Sequence, residues 1–332
     1  MNRRLVVLVA AAIVVIVVAA VGAYYAARPS GPSEPSGPEA LATPCSGVLL
    51  EPGDDIQDAI DDNDEGTTFC LGAGSFEVPD NLEPKDGHRF IGAGMQDTFL
   101  EGTGAKVIVD AKSAGASDVL VQDMDISGAR GASVACKPSC GSGFSGGEDN
   151  TISAVRLHDN PNHAIGGSEG GLLVEDSVLD HNGSDRFTGC CAGGIKGGNG
   201  FTIRRSEVFS NVGVGIWCDV GCTGGLEAYD NHVYDNTRDG IRYEISDGGA
   251  LIENNVVENN NTEGVTGGHG GITSVGSSNA LISDNVIRGN EVGGIVIVEG
   301  ERGVSVTDVV VSRNELDGDA IMGCSIEGVS CD

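Results

Sequence analysis

The chain has 332 residues, 53 of them glycine and 4% aromatic, and carries a formal charge of −30 against 19 Lys and Arg. Such acidity excludes nucleic-acid binding by a basic face, and it repels a polyanion at long range unless a local basic cluster or a bound cation reverses the field. Regular Val/Ile spacing excludes disorder as the meaning of so much glycine; tight corners at positive φ are its natural use.

Asn2-Arg3-Arg4 precede an uncharged run from Leu5 to Ala27. Roughly 20 apolar residues span a bilayer, and arginines ahead of such a run keep the N-terminus in the cytoplasm. Tyr24 and Tyr25 suit the outer interface. Residues 1–27 are thus expected to be a transmembrane anchor, being longer than the roughly 7–15 apolar residues of a signal-peptide core. Cleavage near Val21-Gly22-Ala23 is the alternative, and both place the remainder outside the cytoplasm. Residues 28–44, RPSGPSEPSGPEALATP, form an extended Pro/Gly/Ser linker.

The domain, residues 45–332, opens with EPGDDIQDAIDDNDEGTTFCLGAGSFEV. Asp54 or Asp55 can cap a short helix with Ile56, Ala59 and Ile60 on one face, and TTFCL reads as a strand. A helix here would cover the open end of a stack of strands. Phe99–Ala129, with VLVQDMDISGA, begins the stack. Ala132–Glu148, rich in Gly, Ser and Cys, reads as a loop beside it.

Seven asparagines then recur: Asn160, Asn182, Asn211, Asn236, Asn260, Asn290 and Asn314, at steps of 22, 29, 25, 24, 30 and 24 residues. They close β-like phrases such as SVLDHN, SEVFSN, NHVYDN, NVVENN, NVIRGN and VVVSRN. Gly-Ile or its equivalent usually follows: GGIK, VGIW, DGIR, GGIT, GGIV. Such a period without helical spacing marks a β-solenoid, in which each coil buries its apolar face only by stacking. The asparagines read as a structural ladder at one turn. The longer steps 182–211 and 260–290 require loops, SDRFTGCCAGG and NTEGVTGGHGG, which can wall a groove.

The pattern G-x-x-I-Q-x-A-I, then a Gly-Thr-Thr strand and a Gly-x-(Phe/Tyr) turn, resembles the opening of right-handed parallel β-helix proteins of the pectin-lyase-like superfamily. The repeats from Val155 to Asn314 resemble that superfamily's repeats. The resemblance implies an all-β fold, a right-handed parallel β-helix with a short N-terminal capping helix. It also implies a function among polysaccharide lyases, glycosidases, epimerases and non-catalytic surface proteins. No stretch matches the catalytic motif of pectate lyases or polygalacturonases, so no catalytic residue is carried over.

Strand alternation supplies candidates of its own. After each Gly-Ile, Ile195, Ile216, Cys218, Val220, Ile241, Tyr243 and Ile245 are expected to face the core. Lys196, Trp217 and Arg242 then form one exposed column, and Asp219 and Glu244 the next. Stacked carboxylates repel, so Arg242 and Lys196 neutralise them, calcium bridges them, or one stays protonated as a general acid. Trp217 would be a platform for a sugar ring. Further on, Thr273, Val296 and Val298 take the outward positions. His163, His181 and His269 lie on or near the same edge loops, each more simply a turn or surface histidine.

Ten cysteines in an exported domain read as disulfides. Cys45 and Cys70 bracket the opening, and Cys136/Cys140, Cys218/Cys222 and Cys324/Cys331 are close enough for local bridges. Cys190-Cys191 could bridge each other or cross-link to Cys218/Cys222, and a zinc site from CKPSC plus CC is the functional alternative, without the spacing of a standard finger.

Two functions compete. One is a monomeric cell-surface enzyme acting on a polysaccharide. As a hydrolase it would use Asp219 and Glu244; as a lyase, Lys196 or Arg242 near the abstracted proton, with calcium held by the carboxylates as its candidate cofactor. The other is a non-catalytic glycan-binding or spacer protein.

Overall fold

The computed structural model describes residues 45–130, 141–184, 192–300 and 305–332. The expected anchor and linker, Cys136, Cys140, Cys190 and Cys191 lie outside the described residues. Among the described residues no helix is long and apolar enough to cross a membrane.

Paired strands run parallel throughout, and the coils build a nine-stranded sheet and a second, larger one. One coil consists of Leu226–Tyr229, His232–Tyr234 and Ile241–Glu244. The next repeats it with Ala250–Glu253, Val256–Glu258 and Ile272–Val275. Three buried columns fill the interior. Ile195, Ile216, Ile241, Ile272 and Ile295 line the nine-stranded wall. Ile203, Ala228, Ile252, Ile282 and Val311 form the second, and Val208, Val233, Val257 and Ile287 the third. The helix Ile56–Asp62 starts where the Asp55 side chain accepts the Asp58 N–H, and it buries Ile56 and Ile60. The stretch 132–148 is not all loop: Ser142–Ser145 is a wall strand, with Phe144 registered between Val109 and Ile165.

From Asn160 onward, two corners of the coils carry side-chain ladders. At one, the amide N–H of Asn160 donates to Asn182 Oδ1, and the pattern continues through Asn211, Asn236, Asn260 and Asn290. It ends on Asp319, which accepts from Asn290 N at 3.1 Å. Asn314 belongs instead to the other ladder, Ser177–Ser206–Asn231–Asn255–Asn285–Asn314. The register Val286↔Glu315 forces this correction, since it sets Asn285 beside Asn314 and Asn290 beside Asp319. At both corners the residue ahead of the ladder lies at positive φ, yet few are glycine: Asp176, His181, Arg205, Ser210, Asp230, Asp235, Asn254, Asn259, Asp284 and Arg313 fill them, with Gly289. Asp and Asn tolerate that region because a short polar side chain bonds locally. The glycine of Gly-Ile has a different purpose. A Cβ on Gly215, Gly240 or Gly271 would lie 2.9, 2.8 or 2.8 Å from the ladder amide of Asn236, Asn260 or Asn290.

Among the described residues three disulfides are formed: Cys45–Cys70, Cys218–Cys222 and Cys324–Cys331. The Cys218–Cys222 bond removes those two sulfurs from any cross-link to the vicinal pair. Two residues expected in the core leave it where their strands end. Val220 is 46% exposed at φ 39°, and Ile245 is half-buried at φ 49°.

His163 is not a surface histidine. It is buried in the wall beside Gly193, and neither ring nitrogen has a hydrogen-bond partner among the described residues. Burial, helped by the charge of Lys196, pushes its pKa down to about 3, so the folded protein holds it neutral.

Two predictions follow from the ladders and from this histidine. Asn211→Ala strips acceptor and donor from buried backbone and side-chain groups at once and should cost roughly 1–3 kcal/mol for each group left bare. Asn314→Ala, at a half-buried place near the last coil, should cost less; urea unfolding midpoints of equal size for the two variants would show that the ladder is not what they report. Because the unfolded chain protonates His163 below about pH 6.5 and the folded chain only near 3, stability should fall as pH drops through that window, by on the order of 5 kcal/mol. His163→Phe should flatten that part of a melting-temperature profile, and an unaltered profile would refute the assignment.

Candidate functional site

The wall strands Gly193–Gly197, Val214–Asp219 and Ile241–Glu244 lie side by side. Their register places Lys196 beside Trp217, Trp217 beside Arg242 and Asp219 beside Glu244. Thr273 and Val296 continue the first column, and Val275 and Val298 the second.

The columns are folded in on themselves rather than exposed. Trp217 is 6% and Arg242 8% accessible, against the expectation for both. The cause is contact among long side chains. Lys196 Nζ sits 3.7 Å over the Trp217 ring and pairs with Asp219 Oδ2 at 2.9 Å. Trp217 Nε1 donates to Glu244 Oε2 at 3.0 Å. Arg242 grips both Glu244 oxygens, through Nε at 3.0 Å and Nη2 at 3.1 Å. Trp217 therefore has one face under an ammonium group and its N–H committed, which overturns its reading as an open sugar platform.

Sequence reasoning missed the residue that organises the site. Asp239, two places before Ile241, is fully buried and receives four donors. His269 Nδ1 at 2.8 Å and Arg242 Nη1 at 3.2 Å reach Oδ2; Gly270 N at 2.9 Å and the Thr273 hydroxyl reach Oδ1. Arg242 also donates to the carbonyl of Gly268 at 3.1 Å, which ties the 261–270 loop to the wall. The available signal was an acid at a position where the neighbouring coils carry Gly193, Val214, Gly270 and Gly293.

The charges are settled by these contacts. Burial works to raise the pKa of Glu244; the hydrogen bonds and charge of Arg242, the Trp217 N–H and the charge of Lys196 outweigh it and hold the carboxyl below its usual range. Burial opposes the charge of Asp239 as well, and His269, Arg242 and Thr273 together hold it low. Arg242, despite burial, is raised by Glu244 and Asp239. A protonated general acid is therefore not what relieves the stacked carboxylates: each has its own cation.

Calcium does not fit this donor set. It takes six to eight oxygens, whereas an ammonium, a guanidinium and an indole N–H surround Asp219 and Glu244. Among the described residues no three His, Cys, Asp or Glu side chains converge as a metal site. Toward the N-terminal coils the Lys196–Asp219 pair borders a cleft of about 380 Å³, whose lining includes Lys112, Ser168, Glu169 and Asn199. Of the other histidines, His181 stands at a corner just past the strand Val178–Asp180 of the larger sheet, paired with Asp180 at 2.7 Å.

Residues 109–274 match the family described as right handed beta helix region. No curated protein matches the chain in sequence. Among solved structures, the chain is similar to the A-module of the Azotobacter vinelandii mannuronan C-5 epimerase AlgE4, with 17% identity over 83% of this chain and 86% of that one and a TM-score of 0.55. It is similar to an alginate lyase from Paenibacillus sp. str. FPU-7 (13% identity, 85% and 98% covered, TM-score 0.54). It is likewise similar to the polygalacturonase of Erwinia carotovora ssp. carotovora (13%, 92% and 99%, 0.53). At these identities the likeness is one of fold. The chain belongs to the right-handed β-helix repeat proteins.

Proposed function

We propose that the protein acts on a polysaccharide laid along the nine-stranded wall, over the coils that carry Lys196, Trp217, Asp219, Arg242 and Glu244. The observation that carries this reading is the concentration of an ion network on three adjacent coils, bordered by a cleft, while later coils place Val296 and Val298 at the same positions. The structural likeness to an epimerase, a lyase and a polygalacturonase agrees with it. Disulfides and the apolar run at residues 5–27 support a place outside the cytoplasm, tethered by that run or released from it. The domain would act as a monomer, its first coil covered by the helix Ile56–Asp62.

Within this reading, removal of a proton from the carbon beside a uronate carboxylate fits better than hydrolysis by two carboxyls. Hydrolysis needs one carboxyl that holds its proton at working pH, and Glu244 is held ionised. Proton removal needs positive charge beside the substrate's carboxylate, which Lys196 and Arg242 supply. Neither serves as the base: Arg242 stays protonated, and Lys196 is committed to Asp219.

A second reading rests on one observation, the mutual neutralisation of the network. Paired charges and a buried Trp217 suit a wall that binds glycan or serves as a spacer without chemistry.

A panel of neutral and uronate glycans, digested by the full chain and by Glu244→Gln, separates the two. Turnover of a uronate polymer, reduced at least tenfold in Glu244→Gln, is expected; binding without turnover supports the second reading, and neither binding nor turnover on any glycan rejects both glycan roles and leaves the spacer alone. Because the donor set does not fit calcium, a chelator should leave wild-type turnover unchanged, and a loss reversed by added calcium would contradict the description of Asp219 and Glu244.

A further inference from the structure

We propose that His269 is the proton acceptor of this site and that Asp239 sets it in that role; the proposal rests on the reading of the wall as glycan-acting. Asp239 is ionised and accepts from His269 at 2.8 Å, so Nδ1 carries the hydrogen and Nε2 carries a lone pair. Arg242 Nη1 approaches the same Nδ1 at 3.4 Å, and both donate to one carboxylate oxygen, which orders them side by side. The His269 side chain is 19% exposed, and its Nε2 bonds to no described residue. The imidazole thus sits in the 261–270 loop against the face that carries Arg242 and Glu244.

The assignment follows from what the other groups have already given up. Glu244 and Asp239 are ionised but engaged by three and four donors. Lys196 and Arg242 are cations in ion pairs. Nε2 of His269 is the basic nitrogen of the cluster with a lone pair to offer. When it takes the proton from the carbon beside a uronate carboxylate, the C–H pair passes to that carbon and imidazolium forms. The Asp239 carboxylate, 2.8 Å from Nδ1, offsets the new charge, as an oriented acid does for histidine in a catalytic triad. The carbanion then either expels the neighbouring glycosidic oxygen, which takes a proton from water, or regains a proton from water on its opposite face.

A bland role is also open to these residues: Asp239, His269 and Thr273 could merely pin the loop. His269→Asn separates the two, because the Asn amide nitrogen takes the place of Nδ1, keeps the bond to Asp239 and lacks the Nε2 lone pair. With the uronate polymer that the wild type turns over best, kcat should fall by about 10²–10⁴-fold, with KM and melting temperature nearly unchanged and partial rescue by added imidazole. Acylation by diethyl pyrocarbonate, mapped by mass spectrometry on the wild type, should label His269 and leave the buried His163 untouched. An active wild type with an equally active His269→Asn, or a His269 that resists acylation, overturns the role of His269 and leaves the glycan reading standing. A wild type that neither binds nor turns over any glycan overturns that reading and this role with it.

Discussion

A corner side chain that accepts its neighbour's amide N–H holds each coil in register with the next, and the wall depends on it. Sheets whose side chains alternate with period two tolerate no slip of one residue, since a slip turns the core column outward. Here the amide of Asn236, Asn260 or Asn290 also occupies the space beneath the glycine of a Gly-Ile pair, where a Cβ would collide. Glycine, ladder and isoleucine column therefore form one packing unit. Once the isoleucines align, the residues that follow them align as well, and Lys196, Trp217 and Arg242 meet across three coils. The site is a by-product of corner geometry.

Inside that scaffold, Asp239 is the costly element. A buried carboxylate without partners loses several kcal/mol of solvation, and four donors are spent on this one. The fold does not require it: the equivalent places in adjacent coils are Gly193, Val214, Gly270 and Gly293, which need no compensation. Buried ion networks rarely stabilise better than apolar packing of the same volume. A charge placed where glycine or valine serves elsewhere, with a histidine at its end, is better explained by what it holds than by stability.

Much of this was legible from residue order. The Gly-Ile alignment alone predicts the neighbours of Lys196, Trp217, Arg242, Asp219 and Glu244, because register is a property of the backbone. Their burial is not legible in the same way. Alternation says that Trp217 points away from the core; it cannot say that Lys196 and Glu244 close over it. Asp239 escaped because it belongs to no recurring column of acids and gains its meaning from His269, thirty residues later in a loop. Asn314 was misplaced for a simpler reason. Matching by asparagine identity passes over Asp319, whose carboxylate oxygen does the same work as the amide oxygen.

The net charge of −30 bears on how an anionic sugar could dock. At physiological salt, exposed charges fade beyond about 8 Å, so local exchange decides the matter. An incoming carboxylate must displace a resident one from its cation. Glu244 is the harder to displace, being held by two guanidinium bonds and an indole N–H. Asp219 has a single ammonium partner and a side chain 22% exposed, next to the cleft, so it can turn into water at little cost. On the proposed reading, then, the two ends of the network differ in kind. Arg242, Glu244 and Asp239 form the rigid end that orients His269, and Lys196 is the exchangeable cation that a substrate carboxylate can claim.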